Sequence, residues 1–202
     1  MENLTVSLND NAECYLKSAL KKYACELTMD LNTANSHLSF SEDNKKVTLM
    51  ETAQPYPDNP ERFSDWGQVL SKEGLSSRCY WEVEWTGDKT GIGVAYKGIK
   101  RKAKGTEGII GYNNQSWSLR CCHSKYTAWH NSDATTDIPQ VLDSKRVGVF
   151  LDWSAGTLSF YAVSSNTMTH LHTFHTKFSE PVYPGFRLGY ADAFLILCQP
   201  DP

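Results

Sequence analysis

The chain has 202 residues, 40% hydrophobic, 12% aromatic and 21% charged, with a net charge of −3. That composition belongs to a globular chain with a sizeable core, not to a disordered one. It argues against a nucleic-acid binder, because the run Lys100-Arg101-Lys102-Ala103-Lys104 is short and isolated and reads as a solvated loop.

No stretch of eighteen apolar residues is present, so no membrane-spanning helix is expected. Met1-Glu2-Asn3-Leu4 opens no signal peptide, and the sequons at Asn3 and Asn114 then read as chance matches. Residues 1–22 carry Leu16, Ala19, Leu20 and Tyr23 at helical spacing, with Asn9, Asp10 or Asn11 available as a cap. After Tyr23 the period changes to two. Glu26–Met29, Ser39–Ser41 and Lys46–Leu49 read as short strands, the last two joined by a tight turn at Glu42-Asp43-Asn44. Pro55, Pro57 and Pro60 make residues 53–61 a loop.

The clearest strand is Tyr80-Trp81-Glu82-Val83-Glu84-Trp85. Trp81, Val83 and Trp85 share one face; Tyr80, Glu82 and Glu84 share the other. Thr86-Gly87-Asp88 turns the chain, and Gly91–Tyr96 is expected as the strand's partner. Arg146–Asp152 and Thr157–Tyr161 flank Ser154-Ala155-Gly156 as a hairpin, with glycine free to take a positive φ. Many short strands without a second helical pattern predict an all-β, two-sheet antiparallel β-sandwich with a short N-terminal helix.

Motifs for catalysis are missing: there is no phosphate loop, no HExxH, no GxSxG and no dinucleotide fingerprint. The cysteines, Cys14, Cys25, Cys79, Cys121, Cys122 and Cys198, form no CxxC pair and read as free thiols in a reducing compartment. Glu82 and Glu84 resemble a jelly-roll glycosidase pair, but Gly87 stands where that pattern needs its last glutamate, so they read as solvated or salt-bridged. His170, His172 and His175 lack a completing carboxylate or thiolate nearby, so no metal is expected. Cys122-His123 near Trp129-His130 and Asp133 is a weak case for a nucleophile pair. No catalytic residue and no cofactor follows from the sequence.

An ordered series of segments carries a family resemblance. Leu27–Asn35, Leu38–Asp43, Lys46-Val47, Arg62-Phe63 and Val69-Leu70-Ser71 resemble the PRY segment and its lead into SPRY. Tyr80–Trp85, Gly91–Ala95, Trp117-Ser118-Leu119, Val147–Asp152, Gly156–Tyr161 and Phe178–Pro184 resemble successive SPRY landmarks. Leu31 departs from the usual proline, and Trp153-Ser154 from the usual hairpin pair. The wording is most similar to the PRY-SPRY set of fishes, which includes tripartite-motif proteins, NACHT-leucine-rich receptors and stonustoxin-like toxins.

The resemblance implies a concanavalin-like jelly roll divided into a helical extension (1–22), a PRY segment (23–75) and a SPRY segment (76–202). It implies a non-enzymatic module that binds a protein partner through variable loops. Carried over by position, the contact residues are Tyr56 in the proline loop; Asp88, Lys89 and Thr90 in the turn after Trp85; Arg120, Cys122, His123, Tyr126 and Trp129 after Trp117; and Tyr190 and Asp192 near the end. Trp81 and Trp117 belong to the core. Trp129 fits core or surface equally, and Tyr190 fits the surface. The implied role is substrate or pathogen recognition in a cytoplasmic tripartite-motif ubiquitin ligase of innate immunity, whose RING chemistry and dimerising coiled coil belong to the parent protein. The alternatives are the C-terminal domain of a secreted pore-forming toxin, a domain of an immune receptor, or a carbohydrate-active jelly roll.

Overall fold

A computed structural model describes residues 16–122, 125–141, 144–165 and 167–199. In chain order its strands are β1 (Leu38–Ser41), β2 (Lys46–Leu49), β3 (Gln68–Leu70), β4 (Arg78–Trp85), β5 (Thr90–Tyr96), β6 (Ser116–Cys122) and β7 (Lys125–His130). They continue as β8 (Asp133–Thr135), β9 (Arg146–Asp152), β10 (Thr157–Val163), β11 (Met168–His175), β12 (Val182–Arg187) and β13 (Phe194–Cys198). Seven strands form one sheet in the order β1-β2-β13-β4-β9-β10-β11, and six form the other in the order β3-β12-β5-β6-β7-β8. The pairings within each are antiparallel, which is the sandwich the alternating pattern predicts.

The inner faces fill the core. Trp81, Val83 and Trp85 of β4 meet Ile92 and Val94 of β5 and Trp117 and Leu119 of β6, all buried. Burying an aliphatic side chain of this size contributes roughly 1.5–3 kcal/mol, so this layer dominates stability. The hairpin β9–β10 forms as expected, with Gly156 at φ +71. The β1–β2 turn also forms, with Glu42, Asp43 and Asn44 all at positive φ.

Three expectations are corrected. Gly91–Tyr96 does not pair with β4; it lies in the opposite sheet, between β12 and β6. Both strands carry a continuous apolar face, and each buries that face only by lying across the core from the other, about 10 Å away. The turn between them is therefore a corner tied to β13: Thr86 N donates to Phe194 O at 2.9 Å and Phe194 N to Thr86 Oγ1 at 3.2 Å. Glu26–Met29 is not a strand; Met29 makes only an isolated bridge to Ser71. Finally, Cys25 and Cys79 are bonded to each other as a disulfide, not free. Residues 23–25 run beside β4, with Cys25 N donating to Tyr80 O at 3.0 Å and Tyr80 N to Tyr23 O at 2.8 Å. That pairing brings the two cysteines to a Cα separation of 5.7 Å, across a sequence separation of 54 that no local pattern reveals. Cys121, Cys122 and Cys198 are free, and Cys14 lies outside the described residues.

The outer face of the seven-stranded sheet is capped. Residues 16–21 are helical, and Leu16 and Leu20 pack on Tyr80, Phe150, Tyr161, Val163 and Met168. Ala19 and Tyr23, expected on the same apolar stripe, are exposed. The suggested caps Asn9, Asp10 and Asn11 lie outside the described residues. Beside this patch, Glu82 is 1% exposed. Its carboxylate accepts from Tyr80 Oη at 2.8 Å and pairs with Arg146 Nη1 at 3.2 Å, while Glu84 lies 3.5 Å from Arg146 Nη2.

Removing Arg146 leaves a buried carboxylate without its cation. Because the arginine is itself part-exposed, Arg146→Met is expected to cost about 2–3 kcal/mol, below the value for a fully buried pair. Adding Glu82→Gln, which keeps an acceptor for Tyr80, restores most of the loss in a double-mutant cycle by denaturant titration. Cys79→Ser is expected to lower stability by roughly 2–4 kcal/mol. Reductant produces the same fall in the melting temperature of the wild type and none in the variant.

Candidate partner-binding face

The outer face of the six-stranded sheet is only half covered. Residues 97–115 cross one half, where Ile99 and Ile110 bury Leu70 and Ala95 beside Phe63. Gln68 holds that segment down: its Nε2 donates to Gly108 O at 2.8 Å, and Ile110 N donates to its Oε1 at 2.9 Å. Gly111, at φ +96, then lets the chain lie flat on the sheet, since a Cβ there would stand 2.9 Å from Trp129 Cβ and 3.0 Å from Ser118 Cβ.

The other half carries two arginines, and the hollow beside one of them, Arg187, is lined by Trp66, Gly67, Leu188 and Gly189. The pleat sends Ile92 and Val94 inward and turns Gly91 outward, with no side chain. Gly91 pairs with Arg120 on β6 and with Arg187 on β12, so both arginines flank one bare position. Arg120 Nη1 donates to Tyr112 Oη at 2.9 Å, and Tyr112 stacks on Trp129 at 4.4 Å between ring centres. On the far side, the Arg187 guanidinium lies 5.1 Å from the Trp66 ring centre. Burial, then the neighbouring Arg120 charge, holds the Arg187 pKa below the ordinary arginine value, opposed by Tyr112. The Nε atoms of both arginines are shielded and have no acceptor on the protein.

The corner after β4 and the loop after β12 form the rim. Gly87 and Lys89 take φ of +80 and +57, and Asp192 takes +65 with its N donating to Leu49 O at 2.8 Å. Lys89 Nζ sits 4.8 Å above the Tyr190 ring, which is 46% exposed and one of two large exposed hydrophobics among the described residues. Gly189 permits this approach, since a Cβ there would come within 2.6 Å of Lys89 Cβ.

The residues expected at the interface thus divide. The structure places Lys89 with Tyr190 at the rim, and Arg120 with Trp129 along the wall. Trp129 is half-buried on the outward face of β7, so it is wall and not core. Asp88 is half-buried in the corner, Asp192 is exposed, and Cys122 is half-buried opposite Lys125 at the strand end. Two assignments are corrected. Thr90 is fully buried, its hydroxyl donating to Thr86 O at 3.3 Å. Tyr126 is 3% exposed because it falls on the inward pleat of β7, where its hydroxyl donates to Ser144 O at 3.3 Å. Tyr56 is half-buried and braces its own loop: its hydroxyl donates to Leu38 O at 2.8 Å, and Arg62 lies 5.2 Å from its ring centre. Burial raises the Tyr56 pKa, with Arg62 opposing. His123 lies outside the described residues.

Trp66, Tyr112 and Arg187 lie on the same face without being among the residues expected from sequence. Alternation alone places Arg187, since it follows the core residue Phe186 as Arg120 follows Leu119. Trp66 and Tyr112 sit in loops, where no period operates. Elsewhere, Glu82 and Glu84 share Arg146 on the outer face of the seven-stranded sheet. His170 Nε2 contacts Thr173 Oγ1 at 2.7 Å, and no metal-holding group of side chains occurs among the described residues. No helix among them is long and apolar enough to cross a membrane.

Comparison with known proteins matches this architecture. The profile of the SPRY-associated domain, PRY, covers residues 27–75, and that of the SPRY domain covers 78–199. Stonustoxin subunit beta of Synanceia horrida is 48% identical over 173 residues, 85% of this chain and 24% of the toxin subunit. Tripartite motif-containing protein 16 of Mus musculus is 44% identical over 170 residues, 83% of this chain and 30% of that protein. The chain therefore spans about a quarter to a third of the length of these relatives. Among solved structures, the TRIM65 PSpry domain superposes with a TM-score of 0.83 at 30% identity, covering 91% of this chain and 94% of that one. With both profiles matched and these relatives aligned, the chain belongs to the PRY-SPRY family of protein-interaction domains.

Proposed function

We propose that the half-open face of the six-stranded sheet is where this domain docks a protein partner, and that it serves as the substrate- or pathogen-recognition part of a larger tripartite-motif protein. The observation that carries the docking surface is the presence of Trp66, Tyr112, Trp129 and two arginines on the outer face of one sheet, with Tyr190 against Lys89 at its rim, while the opposite sheet is capped by a helix. Trp, Tyr and Arg are the residue types that dominate binding energy at interfaces, because they offer large contact area at modest entropic cost. The tripartite-motif setting rests on the identity to tripartite motif-containing protein 16 and on the match to a TRIM65 domain. In that setting ubiquitin transfer belongs to another part of the parent, and this domain selects the target.

A second reading, a domain of a toxin subunit, is favoured by the identity to stonustoxin subunit beta together with the Cys25–Cys79 bond. Disulfides persist in oxidising compartments and are rare in the cytosol. Alkylation of the native protein without reduction, followed by peptide mapping, separates the two: a linked Cys25–Cys79 peptide supports the secreted setting, and alkylated thiols support the cytoplasmic one.

The docking face is tested by Tyr190→Ala and Trp66→Ala, measured by titration against a partner isolated with the wild-type domain. Each is expected to weaken binding about tenfold or more with little change in melting temperature. Full affinity in both variants places docking elsewhere on the molecule.

A further inference from the structure

Two arginines stand on either side of one glycine on the outer face of the sheet. Strands lie about 4.8 Å apart, so β12 and β6, with β5 between them, carry Arg187 and Arg120 roughly 10 Å apart at the Cα atoms. Gly91 lets its neighbours close in on it; a Cβ there would stand 3.3 Å from both Arg187 Cβ and Ser118 Oγ, tighter than an ordinary contact. Like charges at this range repel, and burial adds to the cost for Arg187. Arginine stays charged all the same, and no ion pair to either side chain occurs among the described residues, although surface and buried pairs occur elsewhere in the molecule. Arg120 has one neutral partner, the Tyr112 hydroxyl, and Arg187 has the Trp66 ring. Both Nε–H groups are without an acceptor. The chain as a whole carries a net charge of −3, so this cationic pair is local and does not follow from a generally basic surface.

We infer that the Arg120–Gly91–Arg187 row is an anion-binding subsite that accepts the carboxylate of an aspartate or glutamate side chain presented by the protein partner. This rests on the docking face proposed above and deepens it. A carboxylate fits the observations because it can accept from two guanidinium groups at once and because arginine forks match its planar geometry. The flanking rings decide between a carboxylate on a peptide and a free inorganic anion. Trp66 stands on one side and the Tyr112–Trp129 stack on the other, with Tyr190 at the rim. A bare phosphate leaves that apolar surface unused. A peptide covers it with the residues on either side of its acidic one.

The test selects peptides from a random library on the intact wild-type domain and on Arg120→Gln/Arg187→Gln, with Tyr190→Ala and Trp66→Ala as competitors that mark the face. Peptides that bind this face are expected to carry an aspartate or glutamate, and changing it to the amide is expected to weaken binding at least tenfold. The double variant loses the acidic preference, and Arg187→Lys, which keeps the charge but not the fork, falls between. A melting temperature within a few degrees of the wild type shows that the variants are folded. In parallel, the arginine Nε–Hε resonances of the wild type are followed during titration with N-acetylglutamate, N-acetylglutamine and inorganic phosphate. Shifts of Arg120 and Arg187 with the first alone support the assignment, and equal or larger shifts with phosphate overturn it in favour of an inorganic-anion site. Peptides that bind the face without an acidic residue also overturn the carboxylate subsite while leaving the docking face intact. If no selected peptide is sensitive to Tyr190→Ala or Trp66→Ala, the docking face itself fails.

Discussion

The period of two in β5 is the constraint from which both the core and the arginine pair follow. Ile92 and Val94 point inward and are fully buried against the opposite sheet. The same pleat turns Gly91 outward, where a glycine offers no side chain to separate the strands on either side. A one-residue slip would exchange these faces, place glycine in the core and put isoleucine between the arginines. The register with β6 and β12 is held by six paired positions on each side. The sheet register thus fixes the backbone positions of the arginine pair.

The two outer faces meet the problem of an exposed sheet differently. On the seven-stranded sheet, Tyr80, Phe150, Tyr161, Val163 and Met168 form an apolar patch, and the helix closes it through Leu16 and Leu20. Glu82 shares that face yet is buried, and it is tolerated because Tyr80 and Arg146 meet its carboxylate. On the six-stranded sheet, the segment carrying Ile99 and Ile110 stops short, held by Gln68 and turned by Gly111. Covering the remainder would require apolar side chains where the strands carry Arg120 and Arg187.

Most of the sandwich was legible in the sequence because alternation reports a face directly. Trp81, Val83 and Trp85 declared an inward side, and Trp117 followed the same rule. Pairing was less legible. Adjacency along the chain suggested that β4 and β5 form a hairpin, but two strands that each need an apolar partner face satisfy both by crossing to opposite sheets. The disulfide was hidden for a related reason: its two cysteines come together only through the parallel run of residues 23–25 along β4. Position in the chain alone puts Tyr126 outside, whereas the pleat of its strand turns it inward. Applied strictly, the same period would have excluded Tyr126 and found Arg187. No period could have found Trp66 or Tyr112, because their loops are shaped by contacts with residues far away in sequence.

The position of the arginine pair also bears on how such a domain diversifies. The arginines, Gly91 and Trp129 belong to strands, so changing them risks the register that supports the core. Tyr190, Lys89 and Asp88 belong to a corner and a loop whose backbone is fixed by few bonds to the sheets, among them Thr86 to Phe194 and Asp192 to Leu49. Substitution at the rim leaves those bonds in place, because they are made by backbone atoms and by Thr86. Under the docking proposed above, specificity would shift at the rim while the floor remains constant, and a partner's acidic group would set orientation. An anchor on strands beneath a rim on loops would allow this without any change in the sandwich.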